Sequence, residues 1–271
     1  MENNTVSAAS NPNVFNAMVE DATAVPVAPI EKANLASPAD NLVTLPGGYI
    51  SDTGEVIRTA EVRELNGKDE EAIGRLTNQG KTWVTILNRA VVSIGNKKAT
   101  EGVLDGLLAG DRDALLLGIY KATFGKTAEL GAFCDGCKDF KTVSVDIDGD
   151  IQSKVLVDPI ADRNFTVQGN KGEFLVSLPT GMTQREIIAA EEKNSAELTT
   201  ILLENTVIEI NGSPVVSPLQ VQNLGLVDRR KIVEEIVKRA PGPKFEAVKV
   251  TCPDCGGEVV VPVSLGALFR F

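Results

Sequence analysis

Histidine is absent from all 271 residues. That removes the commonest general base, the Ser-His and Cys-His nucleophile pairs and most catalytic zinc sites. It counts against a hydrolase more than any other single feature. Aromatic residues are scarce, at 4%, so a core must be built from Leu, Ile, Val and Ala. An excess of basic residues is missing too. The net charge is −10, which argues against broad attraction to nucleic acid or anionic lipid, because phosphate binding wants clustered Lys and Arg. No run approaches the ~20 apolar residues that span a bilayer. The opening MENNTVSAASN has neither a positively charged start nor an apolar stretch, and it does not read as a signal peptide. P-loop and dinucleotide fingerprints are also lacking.

Cysteine is sparse but placed with order. The chain has four, as CDGC at Cys134 to Cys137 and CPDCGG at Cys252 to Gly257. Without a secretory signal such cysteines read as a metal site or redox pairs, not a disulfide framework. A redox Cys-x-x-Cys normally opens a helix, whose dipole lowers the thiol pKa. Neither pair here opens an apolar-periodic helix. The second pair lies between β-type runs, where a tight turn aims backbone N–H groups at the sulfurs and Gly256-Gly257 permits a positive φ. Together Cys134, Cys137, Cys252 and Cys255 supply the four thiolates of a tetrahedral zinc. Such a shell leaves no position for water and is structural. Disulfides, unliganded thiols and other metals stay open at this point.

The two pairs end two similar stretches. DRDALLLGIYKATFG from Asp111 and DRRKIVEEIVKRAPG from Asp228 each start with Asp-Arg, run as a helix and stop at glycine, Gly125 and Gly242. Upstream, ILNRAVVSIG from Ile86 aligns with ILLENTVIEING from Ile201. Two long copies indicate related subdomains, since a solenoid needs three or more short repeats. The expected fold is α+β: two subdomains of β-hairpin, helices and zinc knuckle, arranged as an internal duplication. The expected divisions are an arm over 1–41, a first copy over 42–150 and a second over 151–271. The arm is rich in Ala, Asn, Ser, Pro and Val without a period, a composition that does not fold alone.

Local signals fill in the elements. Pro46-Gly47-Gly48 and Asp52-Thr53-Gly54 mark turns around a hairpin, and Gly169 to Gly172 marks another. Asn66 is a candidate cap. Asp111 and Asp228 read as caps of the two long helices. Thr183 with Glu186, and Ser217 with Gln220, fit capping boxes. Asp146 to Asp150 lacks the order of a calcium loop and reads as a polar hairpin tip. EEKNSAE reads as a solvated acidic face. Trp83, the only tryptophan, reads as core. The closing LGALFRF needs a cover, from its own core or a neighbouring chain.

Leu45-Pro46-Gly47-Gly48-Tyr49, Leu65-Asn66-Gly67-Lys68-Asp69-Glu70 and Gly110-Asp111-Arg112-Asp113, followed by Cys-x-x-Cys, resemble the baseplate hub assembly proteins of tailed bacteriophages, the T-even type. The resemblance covers about residues 42 to 148 well and the second copy loosely. It departs at Tyr120-Lys121, where the family often has arginine. It implies a tail or baseplate assembly protein, as chaperone or minor virion component, without enzymatic activity. Its implied partners are other tail or baseplate proteins, with room for an oligomer inside the assembly. Its implied location is the host cytoplasm during assembly, and the virion if the protein is retained. The competing reading is a zinc-ribbon nucleic-acid-binding or regulatory adaptor. That would want a basic knuckle, yet the second has only Lys249 before it and Glu258 after it. An oxidoreductase using the cysteine pairs is a third reading.

Overall fold

A computed structural model describes residues 41–270. The arm expected over 1–41 lies almost wholly outside the described residues, as does Phe271.

The chain is α+β. β1 (Leu42–Ile50) and β2 (Val56–Val62) form the first hairpin, and α1 (Gly67–Ile73) and α2 (Gln79–Ala90) follow. β3 (Val91–Ile94) and β4 (Lys97–Lys98) complete an antiparallel sheet of order β1-β2-β3-β4. Then come α3 (Glu101–Gly106), α4 (Ala109–Phe124), and the hairpin of β5 (Thr127–Cys134) and β6 (Asp139–Asp146). α5 (Ile147–Asp150) and β7 (Ser153–Lys154) connect to a second succession. This runs β8 (Asn164–Gln168), β9 (Glu173–Ser177), α6 (Gly181–Ala189), α7 (Ser195–Thr206), β10 (Val207–Ile210), β11 (Ser213–Pro214), α8 (Pro218–Gln222) and α9 (Leu226–Arg239). Its sheet order is β11-β10-β9-β8, which is the first sheet's connectivity again. β12 (Gly242–Pro243), the hairpin of β13 (Ala247–Thr251) and β14 (Glu258–Pro262), and α10 (Leu265–Leu268) close the chain.

α4 is the central helix. It is buried on every side, from Gly110 through Leu115, Leu116, Ile119 and Tyr120 to Ala122, as expected of a helix apolar all round. α9 buries only one face, with Ile232 and Ile236. Two cores result. The larger joins β1–β3, α2 and α4 to both cysteine hairpins and to Leu268 and Phe269 of the tail. The smaller gathers Phe174, Val176, Leu203, Val221, Ile232 and Ile236 with Leu108 and Leu156. The last hairpin therefore shares a core with residues far upstream, not with the helices that immediately precede it.

Several local expectations change on inspection. Asn66 caps α1 in a box with Asp69, and Ser217 caps α8 in a box with Gln220. Asp111 and Asp228, in contrast, cap nothing. Leu108 and Gly225 hold the cap positions. Asp111 Oδ1 instead accepts the Gly47 N–H at 2.6 Å, and Asp228 accepts the N–H groups of Asn170 at 2.6 Å and Lys171 at 3.3 Å. Each buried carboxylate clamps the backbone of its own β-hairpin region onto the first turn of its helix. Thr183 is the receiving partner of a box whose cap is Thr180, not a cap itself. Asp146 to Asp150 forms the short α5, capped by Asp146, in place of a hairpin tip. The tail finds its cover within the chain: Leu268 and Phe269 are buried, and the Phe269 ring lies 5.5 Å from both Trp83 and Tyr120.

Candidate metal centre

β5 and β6 pair in unbroken register from Thr127↔Asp146 to Cys134↔Asp139. β13 and β14 pair from Ala247↔Pro262 to Thr251↔Glu258. β5 alternates exposed and buried positions along its whole length, so each hairpin turns one apolar face to the core. The faces pack together, and the two turns meet.

Cys134 ends β5, and Cys137 sits in the turn that follows. Lys138 makes that turn with φ of 55°, an uncommon value for a side-chain-bearing residue. In the second hairpin the positive φ, 71°, falls on Gly256, as the sequence suggests. There the Cys252 N–H donates to the Gly257 carbonyl at 2.7 Å and the Gly256 N–H to the Cys252 carbonyl at 3.0 Å. Gly136 serves a different purpose from turn geometry. A Cβ there would stand 3.0 Å from the Cys255 sulfur, so the glycine lets one turn seat against the other's cysteine.

All four predicted cysteines come together. Their Sγ atoms lie within 4.8 Å of one another. Two crossed pairs are in contact, Cys134 with Cys255 at 3.6 Å and Cys137 with Cys252 at 3.7 Å, and each takes one sulfur from each hairpin. None is in a disulfide. Sulfurs held at ~2.3 Å from a central ion in a tetrahedron stand ~3.8 Å apart, which matches the crossed distances. Cys134 and Cys252 are buried and Cys255 is exposed, so the cluster is rooted in the core and open at one corner. It is a site that could bind a metal ion.

The electrostatics favour the same occupant. N–H groups of Cys255 and Asp254 aimed at the Cys252 sulfur lower that thiol to about 7. The neighbouring sulfurs, Cys255 foremost, push Cys137 up to about 12. Four groups this close cannot all ionise unless a cation sits among them. Beside the sulfurs, Lys141 of β6 reaches Asp139 at 3.0 Å and Asp254 at 2.8 Å, and both carboxylates raise its pKa. That ammonium bridges the two knuckles. Lys249 is paired with Glu258 at 2.9 Å. The spacing in the sequence singled out the four cysteines that cluster here but not Lys141 and Gly136, whose roles exist only once the hairpins meet.

A family model described as T4 bacteriophage base plate protein matches residues 50–270. No curated protein and no solved structure matches the chain.

Proposed function

The chain belongs to the T4 bacteriophage base plate protein family, and from that premise we propose that it is a non-enzymatic tail or baseplate assembly protein. It acts through protein contacts with other baseplate components, as chaperone or minor virion component. It works in the host cytoplasm during assembly and is carried into the particle if retained. The single observation carrying this reading is the family match across 50–270. The chain's chemistry agrees with a structural role. It has no histidine. Its buried carboxylates Asp69, Asp111 and Asp228 hold arginines or backbone N–H groups.

We further infer that Cys134, Cys137, Cys252 and Cys255 hold one structural zinc. The crossed sulfur distances and the all-thiolate donor set support zinc over harder cations, which prefer oxygen. A full thiolate shell supplies cross-linking and no open coordination position. The recurring element order supports an internal duplication, with copies at 42–150 and 151–271 and the 1–41 segment as an arm.

The nucleic-acid adaptor has less behind it. The lysines at the knuckles, Lys138, Lys141 and Lys249, are paired with Asp135, with Asp139 and Asp254, and with Glu258, so among the described residues no unpaired lysine flanks the turns.

The test is mass spectrometry of tails, baseplates and purified particles from infected cells, with elemental analysis of the isolated protein. The expected result is co-purification with baseplate intermediates and one zinc per chain. Absence from every assembly intermediate and from particles would remove the assembly role. A metal-free protein with four free thiols would remove the zinc.

A further inference from the structure

Arg112 and Arg229 follow the clamping aspartates directly and occupy the same step of α4 and α9. Both are buried. Arg229 is fully engaged: Nη1 donates to the Val221 carbonyl at 3.1 Å, and Nη2 to the Ala196 carbonyl at 3.3 Å and the Thr200 hydroxyl at 2.8 Å. Arg112 is not. Its Nε and Nη1 are sealed from solvent without a hydrogen-bond partner. Asp105 Oδ1 stands 3.5 Å away, and Asp105 is itself taken by Arg185 at 2.6 Å. A buried donor left unmade is costly, and native structures keep few of them.

The cause lies in the neighbouring helix. α2 and α7 both begin after an asparagine cap, Asn78 and Asn194. The two helices match from cap to last residue, Asn78 to Ala90 and Asn194 to Thr206, a register one residue away from the sequence alignment of Ile86 with Ile201. Six residues from each cap lie Val84 in α2 and Thr200 in α7. Thr200 gives Arg229 an acceptor, whereas Val84 has none to give. In place of that contact is a cleft of about 200 Å³ between α2, α4 and α6. Trp83, Val84, Ile187 and Ile188 make its apolar walls, and Arg112 and Asp113 line it as well.

The charges identify the occupant. Arg112 and Arg185 face three carboxylates, Asp105, Asp113 and Glu101, so the site carries no positive excess for a free anion to neutralise. It offers one guanidinium with unmade N–H bonds and one carboxylate acceptor beside an apolar slot. A peptide group with an aliphatic side chain has the complementary set: a carbonyl, an N–H and a hydrocarbon. We propose that this cleft binds a segment of a partner polypeptide, seating one aliphatic side chain against Trp83 with its peptide carbonyl on Arg112 and its N–H on Asp113. The proposal is independent of the metal centre.

Trp83 is the only tryptophan in the chain, so its emission reports the cleft directly. The full-length protein would be titrated with N-acetyl-L-leucinamide, and separately with isovalerate and isopentanol, which carry the same hydrocarbon without a peptide group. The amide should give a saturable change in Trp83 emission and bind about fivefold or more tighter than either control, as expected for one or two added hydrogen bonds. Val84→Phe, which fills the slot, should abolish the change. Asp113→Ala should weaken the amide and leave the uncharged isopentanol unaffected. Both positions are only half-buried, and thermal melts would verify that the variants fold. No saturable response to the amide, isovalerate binding as tightly as the amide, or an undiminished response in folded Val84→Phe would each overturn the proposal.

Discussion

Asp69 and Asp111 are both buried aspartates, and they titrate in opposite directions. Burial pushes Asp69 up, but Arg63, the Asn66 N–H and Arg89 outweigh it and hold the carboxyl at about 2. Its contribution to stability is complete above the unfolded value of 3.8 and is lost as pH falls toward 2. For Asp111, burial dominates. The Gly47 N–H and the charge of Arg163 oppose it, yet the carboxyl rises to about 6, and its Oδ2 has no partner. Between 3.8 and about 6 the folded chain holds a proton that the unfolded chain has released, so stability falls as pH rises through this window. Asp113, raised to about 6 by burial, acts with the same sign. The melting temperature should therefore increase from pH 7 to pH 5 and drop below pH 4. Asp111→Asn keeps an acceptor for Gly47 and removes the charge. It should raise stability at pH 7 by on the order of 1–3 kcal/mol and flatten the upper part of the profile. Calorimetry of the two proteins from pH 3 to 8 would check this. An unchanged slope between pH 5 and 7 would mean that Asp111 is ionised without penalty.

At the level of elements, closeness of backbones matters as much as side chains. A Cβ on Gly110 of α4 would overlap the Pro241 carbonyl, and one on Gly242 would stand 2.6 Å from the Gly110 Cα and carbonyl oxygen. α4 and β12 thus touch main chain to main chain, which only glycine allows. Gly110→Ala should destabilise by about 3 kcal/mol or more, since overpacking against backbone has no flexible neighbour to absorb it. Gly67→Ala, where a Cβ meets nothing, is the control, and denaturant melts of both would measure the difference. α10 makes a second case. Phe269 lies against Trp83, Tyr120 and Phe124, so deleting residues 266–271 should redden Trp83 emission and lower stability. Unchanged emission would mean that the ring contacts do not shield the indole. These contacts also mark where reading the chain alone stops. Caps such as Asn66 and Ser217 are legible because cap and partner are three residues apart. The role of Asp111 was misread because its partner, Gly47, is 64 residues away. A helix-start aspartate looks the same in sequence whether it caps its own helix or clamps a distant strand. The unmade hydrogen bonds of Arg112 were illegible for a related reason, since they depend on Val84 standing where α7 has Thr200.

For the whole molecule, the cysteine spacing was the most legible feature. Two Cys-x-x-Cys pairs after similar helices meet in space across 121 and 115 residues of sequence. What spacing could not reveal is where the second hairpin packs. Cys252, Val259, Val261, Leu268 and Phe269 belong to the same core as Leu45, Ile86 and Leu115. The C-terminal hairpin therefore closes the first half's core while remaining chain-linked to α9 in the second core. An ion held by all four sulfurs would fasten this return of the chain. Structural zinc contributes on the order of 10 kcal/mol in small peptides, comparable to the whole stability of a domain. Cys134→Ser leaves three thiolates and a buried hydroxyl, so it should lower the melting temperature as much as metal removal by a chelator does. Adding the chelator to Cys134→Ser should then produce little further loss, because both act on one interaction. Hydrogen exchange should locate the damage. Protection should fall first in β13, β14 and α10 and in the β5–β6 face they cover, while β8–β10 and α9 keep theirs until global unfolding. Equal and simultaneous loss of protection in both cores would instead make the chain a single cooperative unit governed by the metal. Full protection of β13 and β14 in the metal-free protein would mean that apolar packing alone holds the hairpin, and that the cysteine cluster is not what fastens it.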